Sequence, residues 1–153
     1  MPRRPPLSTQ AAAALLAALA LGGCAGPGRV AVAPPSPGPT PAAACADLAT
    51  HLPDRVHALS RREVTPPSPL TAAWGDPPIV LRCGVPRPAA LRADSTVLSV
   101  NGVDWFAQNL TRGTRFTTTG RVAYVQVDVP EDYTSPTDAL ADLTEAVRAV
   151  PVG

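Results

Sequence analysis

The clearest pattern in the chain is an alternation near its C-terminal end. Over residues 122–129, Ala123, Val125, Val127 and Val129 alternate with Val122, Tyr124, Gln126 and Asp128. A period of two with one apolar and one mixed face predicts an antiparallel strand covered on one side. Residues 115–119 precede it across Gly120-Arg121, so the two segments predict a hairpin. A second hairpin is predicted over residues 96–100 and 103–106, because the intervening Asn101-Gly102 accepts the positive φ angles of a tight turn. Residues 79–83 form a short apolar strand, bounded by Pro77-Pro78 before it and by Gly84 and Pro86 after it.

Two segments follow a helical period instead. Cys45, Leu48, Leu52, Val56 and Leu59 recur at steps of three and four, and Pro53 predicts a kink or two short helices there. Arg61, Arg62 and Glu63 leave that helix, and residues 65–69, with three prolines, read as loop. Ser135-Pro136-Thr137-Asp138 has the composition of a helix start: a Ser cap, Pro in the first turn and an acid near the positive end. Leu140, Leu143, Val147 and Val150 give the buried stripe that follows, and Pro151 ends it. The order helix, strands, helix predicts an α+β domain: a small antiparallel sheet of four to five strands with both helices on one face.

The N-terminus is patterned as a targeting segment. Arg3 and Arg4 precede an unbroken apolar run over residues 11–21. As a helix this run spans about 16 Å, against about 30 Å for a bilayer core, which favours a cleaved signal over a permanent span. It ends in Leu21-Gly22-Gly23-Cys24, which resembles the lipobox of bacterial lipoproteins. That resemblance implies cleavage before Cys24 and acylation of its thiol, giving residues 1–23 as signal peptide and a membrane lipid as the first partner. Two or three acyl chains on one cysteine give stable attachment, each buried methylene contributing about 0.8 kcal/mol. Residues 24–42 carry six prolines and one charge, Arg29, and predict an extended tether with a reach of up to about 55 Å. The globular domain is then expected over residues 43–153.

Composition narrows the rest. The chain has 153 residues, 45% of them hydrophobic and only 4% aromatic, so the core must be built of Val, Leu, Ile and Ala. The formal charge of +1 becomes −1 without Arg3 and Arg4, and no basic stripe interleaved with aromatics is present; nucleic acid is not an expected partner. All basic residues are arginine, as in chains from GC-rich genomes. With Cys24 acylated, Cys45 and Cys83 remain, and a disulfide between them suits an oxidising compartment; the alternative is a reactive thiol, although no Cys-x-x-Cys spacing occurs.

Candidate chemistry is sparse. No Gly-x-Ser-x-Gly elbow is present, and a Ser-x-x-Lys nucleophile is impossible without lysine. His51 and His57 are six apart, on opposed faces of a straight helix, and no zinc motif accompanies them; neither a metal nor a cofactor is expected. Asp128, Glu131 and Asp132 lack the spacing and glycine of a calcium loop and read as a solvated turn. Asn109-Leu110-Thr111 matches a glycosylation sequon, which carries little meaning in a bacterium. Trp74, in a proline-flanked segment beside Gly75 and Asp76, is the candidate recognition surface for a glycan or peptide, with Tyr124 joining it if the outer sheet face adjoins. The plainer reading has Trp74 pinning a loop over a small core. Trp105, after its hairpin turn, is expected in the core.

The stretches Trp74-Gly75-Asp76-Pro77-Pro78-Ile79-Val80-Leu81-Arg82-Cys83-Gly84, Asn101-Gly102-Val103-Asp104-Trp105 and Gly120-Arg121-Val122-Ala123-Tyr124-Val125 resemble an actinobacterial family of candidate lipoproteins known as domain of unknown function 3515. The resemblance implies an envelope-facing protein and carries over no catalytic or binding residues. The expectation is a lipid-anchored, extracytoplasmic, non-catalytic binding or assembly module whose partner is an envelope protein or a cell-wall ligand. The competing expectation is an envelope hydrolase or transferase with a site assembled in space.

Overall fold

The computed structural model of the chain describes Met1 and residues 28–153; the signal segment and Cys24 lie outside the described residues. In chain order the elements are β1 (Val30–Ala31), α1 (Pro39–Thr50), β2 (Arg55–Val56), β3 (Leu59–Arg62), β4 (Val64–Thr65), β5 (Thr71–Trp74), β6 (Ile79–Val85), β7 (Leu98–Val100), β8 (Val103–Leu110), β9 (Gly113–Thr118), β10 (Tyr124–Pro130) and α2 (Pro136–Arg148). Eight strands form one antiparallel sheet in the order β2-β3-β5-β6-β10-β9-β8-β7, while β1 and β4 pair in parallel as a separate ribbon. The α+β class is as expected, but the sheet is larger than four to five strands.

The extra strands have local causes. The expected helix through Leu59 ends at Thr50, because Pro53 disfavours the helical region for the residue before it and has no N–H to continue the ladder. Beyond it, His57 and Ala58 both take positive φ, at 52° and 62°, and make a two-residue turn that pairs Val56 with Leu59. The step of three that suggested a helix face is a cross-strand pair. Residues 71–74, expected as loop, form β5, and all four are buried.

At the other end of the helix, α1 starts at Pro39, where proline suits the first turn, and Ala42, Ala43 and Ala44 carry it forward. Val30 and Val32 are buried with Ala73 on the outer face of the sheet. Their backbones bond to the strand beside them, Val30 N–H to Glu63 O at 2.9 Å and Val32 N–H to Thr65 O at 3.0 Å. Val30 and Val32, and the start of α1 at Pro39, lie within the segment expected as tether.

The hairpin at Asn101-Gly102 forms as expected, with φ of 49° and 78°. A further hairpin joins β8 to β9, where a side chain on Gly113 would collide with Val129 O. Helix α2 begins at Pro136, but Ser135 does not cap it through its side chain; its φ is 57°, and its carbonyl accepts from Asp138 N–H instead.

Both helices lie on one face of the sheet. Leu48 and Cys45 from α1, Leu140, Leu143 and Val147 from α2, and Trp74, Ile79, Leu81, Trp105, Phe116, Val125 and Val127 from the sheet share one buried cluster. Full burial of each large side chain contributes about 1.5–3 kcal/mol. The Cys45–Cys83 disulfide crosses this layer from α1 to β6, with the Cα atoms 5.6 Å apart.

Candidate functional site

The three residues expected to form a recognition surface do not come together. Trp74 is 0% exposed, and its indole Nε1–H donates to Pro53 O at 3.0 Å. The Arg61 guanidinium lies 5.9 Å from the ring centroid and closes over it. No face of the indole is open to a ligand, so Trp74 is a core residue like Trp105. Asp76 is exposed in the β5–β6 turn, 3.6 Å from Arg62 Nη1. Tyr124 lies at the far end of β6: Trp74 pairs with Ile79 and Tyr124 with Val85. Six residues of strand separate those partners, about 20 Å.

The histidines also stay apart. His51 closes α1 with its ring nitrogen 3.0 Å from Asp47 O, and the His57 ring is bonded to Thr134 O at 2.9 Å. Among the described residues no three His, Cys, Asp or Glu side chains gather as a metal site, and no helix is long and apolar enough to cross a membrane. Asp128, expected in a solvated acidic turn, points to the outer sheet face and binds arginine instead.

That outer face carries the polar groups of the alternating strands. Arg115 and Asp128 face each other across β9 and β10 and make two hydrogen bonds, 2.7 Å from Nε and 2.9 Å from Nη2. Arg82 reaches the same carboxylate at 3.2 Å. The Arg115 pKa is raised by its hydrogen bond to Asp128, against the opposing effect of burial. Gln126 has two uses here: its amide nitrogen is 3.3 Å from both Asp128 oxygens, or, turned over, its oxygen accepts from Arg82 and Arg115. This network is charge-balanced to within one positive unit and largely satisfied.

Beside it the picture changes. A cavity of about 590 Å³ opens where β1 and β4 lie against β3 and β5, within the size range of small-ligand sites. Arg29, Arg61, Arg62, Glu63, Ser68 and Thr71 line it. Arg29 and Glu63 are paired at 2.9 Å and well exposed. Arg62 is nearly buried, and its two terminal nitrogens donate to Gly75 O and Gly28 O. Two buried donors of the lining have no hydrogen-bond partner among the described residues: Arg62 Nε and Thr71 Oγ1. Thr71 is only 3% exposed. Unsatisfied groups of this kind cost about 1–3 kcal/mol each and are rare in the interior of a folded domain.

The cavity was not legible in the sequence. Arg61 and Arg62 read as residues leaving a helix, and Ser68 as loop. Only the register, Arg62 opposite Ala73 and Thr71 opposite Arg82, sets Arg62 and Thr71 on one face.

Comparison with known proteins places the chain against a family model. The family model described as Protein of unknown function (DUF3515) matches residues 7–152. No curated protein matches the chain, and no solved structure does. The match covers nearly the whole sequence and all but the last residue of the sheet-and-helix domain, so the chain belongs to this family of proteins of unknown function.

Proposed function

We propose that this protein is an actinobacterial lipoprotein, anchored to the cell membrane through acylated Cys24, whose domain works on the extracytoplasmic side as a non-catalytic binding or assembly module. The observation that carries the reading is the pairing of an export pattern with a core disulfide. Residues 11–21 and Leu21-Gly22-Gly23-Cys24 have the composition of a lipoprotein signal. Cys45 and Cys83, both fully buried, are joined inside the domain that follows, and such bonds persist in oxidising compartments. The open cavity with unsatisfied donors supports binding as the domain's work. Its partner class is an envelope protein or a cell-wall ligand.

The test is made in intact cells. The full chain with a C-terminal tag is expected to take up labelled palmitate and to be digested by protease added outside cells stripped of their wall. A Cys24→Ala variant is expected to lose the label and leave the membrane fraction. Chemical crosslinking of the anchored form, beside an unrelated lipid-anchored protein, then reads the partner. Retention of the Cys24→Ala chain in the membrane with no label on the native chain sinks the anchor; crosslinks identical to those of the unrelated protein sink a specific protein partner.

A further inference from the structure

We propose that the cavity between β1, β3, β4 and β5 binds the phosphate group of a membrane lipid headgroup. The inference deepens the binding reading above and rests on it for the position of the membrane; the chemistry stands on the cavity.

The donors define the class of ligand. Arg62 Nε–H and the Thr71 hydroxyl are buried and unpartnered among the described residues. Ser68 Oγ accepts from Leu70 N–H at 3.1 Å, which leaves its own hydroxyl proton free to donate. Arg29 and Arg62 bring two positive charges to the lining against the one negative charge of Glu63, while Arg61, opposite Trp74 in the sheet, holds its guanidinium over that indole. Asp76 lies just outside, near Arg62 Nη1, and balances the remaining charge, so the site selects through its hydrogen-bond donors. Donors from several side chains suit an oxyanion with several acceptor oxygens. Guanidinium groups suit phosphate in particular.

Chain length brings this cavity to the membrane. Arg29 stands five residues after Cys24, and five residues span at most about 17 Å whatever their path. From Val30 onward the chain is bonded to the domain through β1 and β4. The 24–42 segment therefore cannot hold the domain away from the bilayer as a free polyproline arm would. The end of the domain next to an acylated Cys24 is the end that carries Arg29 and the cavity, within reach of headgroup phosphates. A water-soluble phosphate would offer the same oxyanion, so the source is what the experiment must separate.

The full-length chain, purified in a maltoside detergent free of phosphate, is titrated calorimetrically with dihexanoyl phosphatidylglycerol below its micelle concentration, with dihexanoylglycerol, and with inorganic phosphate. Saturable binding of the phospholipid is expected, with dihexanoylglycerol inert and inorganic phosphate much weaker. Thr71→Val keeps the shape of a buried strand residue and removes the hydroxyl; it is expected to weaken phospholipid binding about fivefold, the worth of one hydrogen bond. Glu63→Gln removes the anion from the lining and frees Arg29, and is expected to tighten binding, a change that structural damage would not produce. Thermal melts check that both variants are folded, since Arg62→Gln would also loosen its bonds to Gly28 and Gly75. Lack of saturable phospholipid binding, or binding unmoved by both substitutions, overturns the site. Inorganic phosphate binding as tightly as the phospholipid overturns the headgroup as its ligand. Mass measurement of the purified chain reads acylation at Cys24 separately: an acylated chain that does not bind overturns the cavity alone, and binding by an unacylated chain overturns the anchor alone.

Discussion

The two faces of the sheet are built from the same strands and solve opposite problems. On the inner face, Ile79, Leu81, Cys83, Val125 and Val127 meet two helices and leave water entirely. On the outer face, one residue along each strand, Arg82, Asp128 and Arg115 meet and stay partly hydrated around the buried Gln126. Stability belongs to the first arrangement, because apolar burial is additive and insensitive to salt. The second is close to neutral, since partly exposed ion pairs recover little more than the hydration they give up. The difference shows where recognition has room. A face that carries little of the folding free energy can leave donors open, and the cavity beside β1 is one place where it does so, with Arg62 Nε and Thr71 Oγ1.

The largest test of this contrast is the disulfide. The pair Cys45→Ser and Cys83→Ser opens a loop of sequence separation 38, for which chain entropy gives about 4 kcal/mol. Urea unfolding of the native chain, with and without reductant, is expected to show a loss of that order; a loss below about 1 kcal/mol would mean that the inner layer holds without its crosslink. Leu140→Ala removes a fully buried side chain of α2 and is expected to cost about 3 kcal/mol through lost burial and the cavity left behind. That cost should be the same at low and high salt.

Asp128→Asn tests the other face. The carboxylate holds Arg82 and Arg115 but remains 21% exposed, so the expected loss is about 1 kcal/mol at low salt. It should shrink toward zero in about 1 M NaCl, where the screening length falls to about 3 Å. A salt-independent loss as large as that of Leu140→Ala would erase the distinction between the faces.

How far the fold could be read in advance follows the same division. The strand of Val125, Val127 and Val129 and the stripe of Leu140, Leu143 and Val147 were legible because repeated apolar spacing reflects a continuous buried face. The Asn101-Gly102 turn was legible because its backbone demands are local. Val56 and Leu59 misled because a step of three joins both helix neighbours and partners across a two-residue turn. Val30 and Val32 were hidden by the prolines around them: two alternating residues are too few to show a period, and only their contact with Ala73 fixes their role. The cavity was illegible for a stronger reason. Arg29 precedes β1, and Arg62 and Thr71 lie in β3 and β5; the pairing order of these strands does not follow the chain, and no local pattern encodes that meeting.

The smallest effect lies at the rim where the inner layer ends. Tyr133 packs partly against the core cluster, and its hydroxyl donates to Pro77 O at 2.6 Å, tying the start of α2 to the β5–β6 turn. Tyr133→Phe keeps the ring and removes this bond, so a loss of about 1 kcal/mol is expected at neutral pH. The pH dependence carries the sharper information. Burial, followed by the nearby charges of Asp132 and Asp76, raises the Tyr133 pKa above its ordinary value of 10.0. The folded chain therefore holds the phenolic proton more tightly than the unfolded chain does. This contribution to stability is complete below about pH 10 and declines as the pH rises from there through the raised folded value. Unfolding free energies measured from pH 9 upward should fall more steeply for the native chain than for Tyr133→Phe. Equal slopes would mean that the phenol feels neither the core nor its two acids, and that the apolar layer stops short of Tyr133.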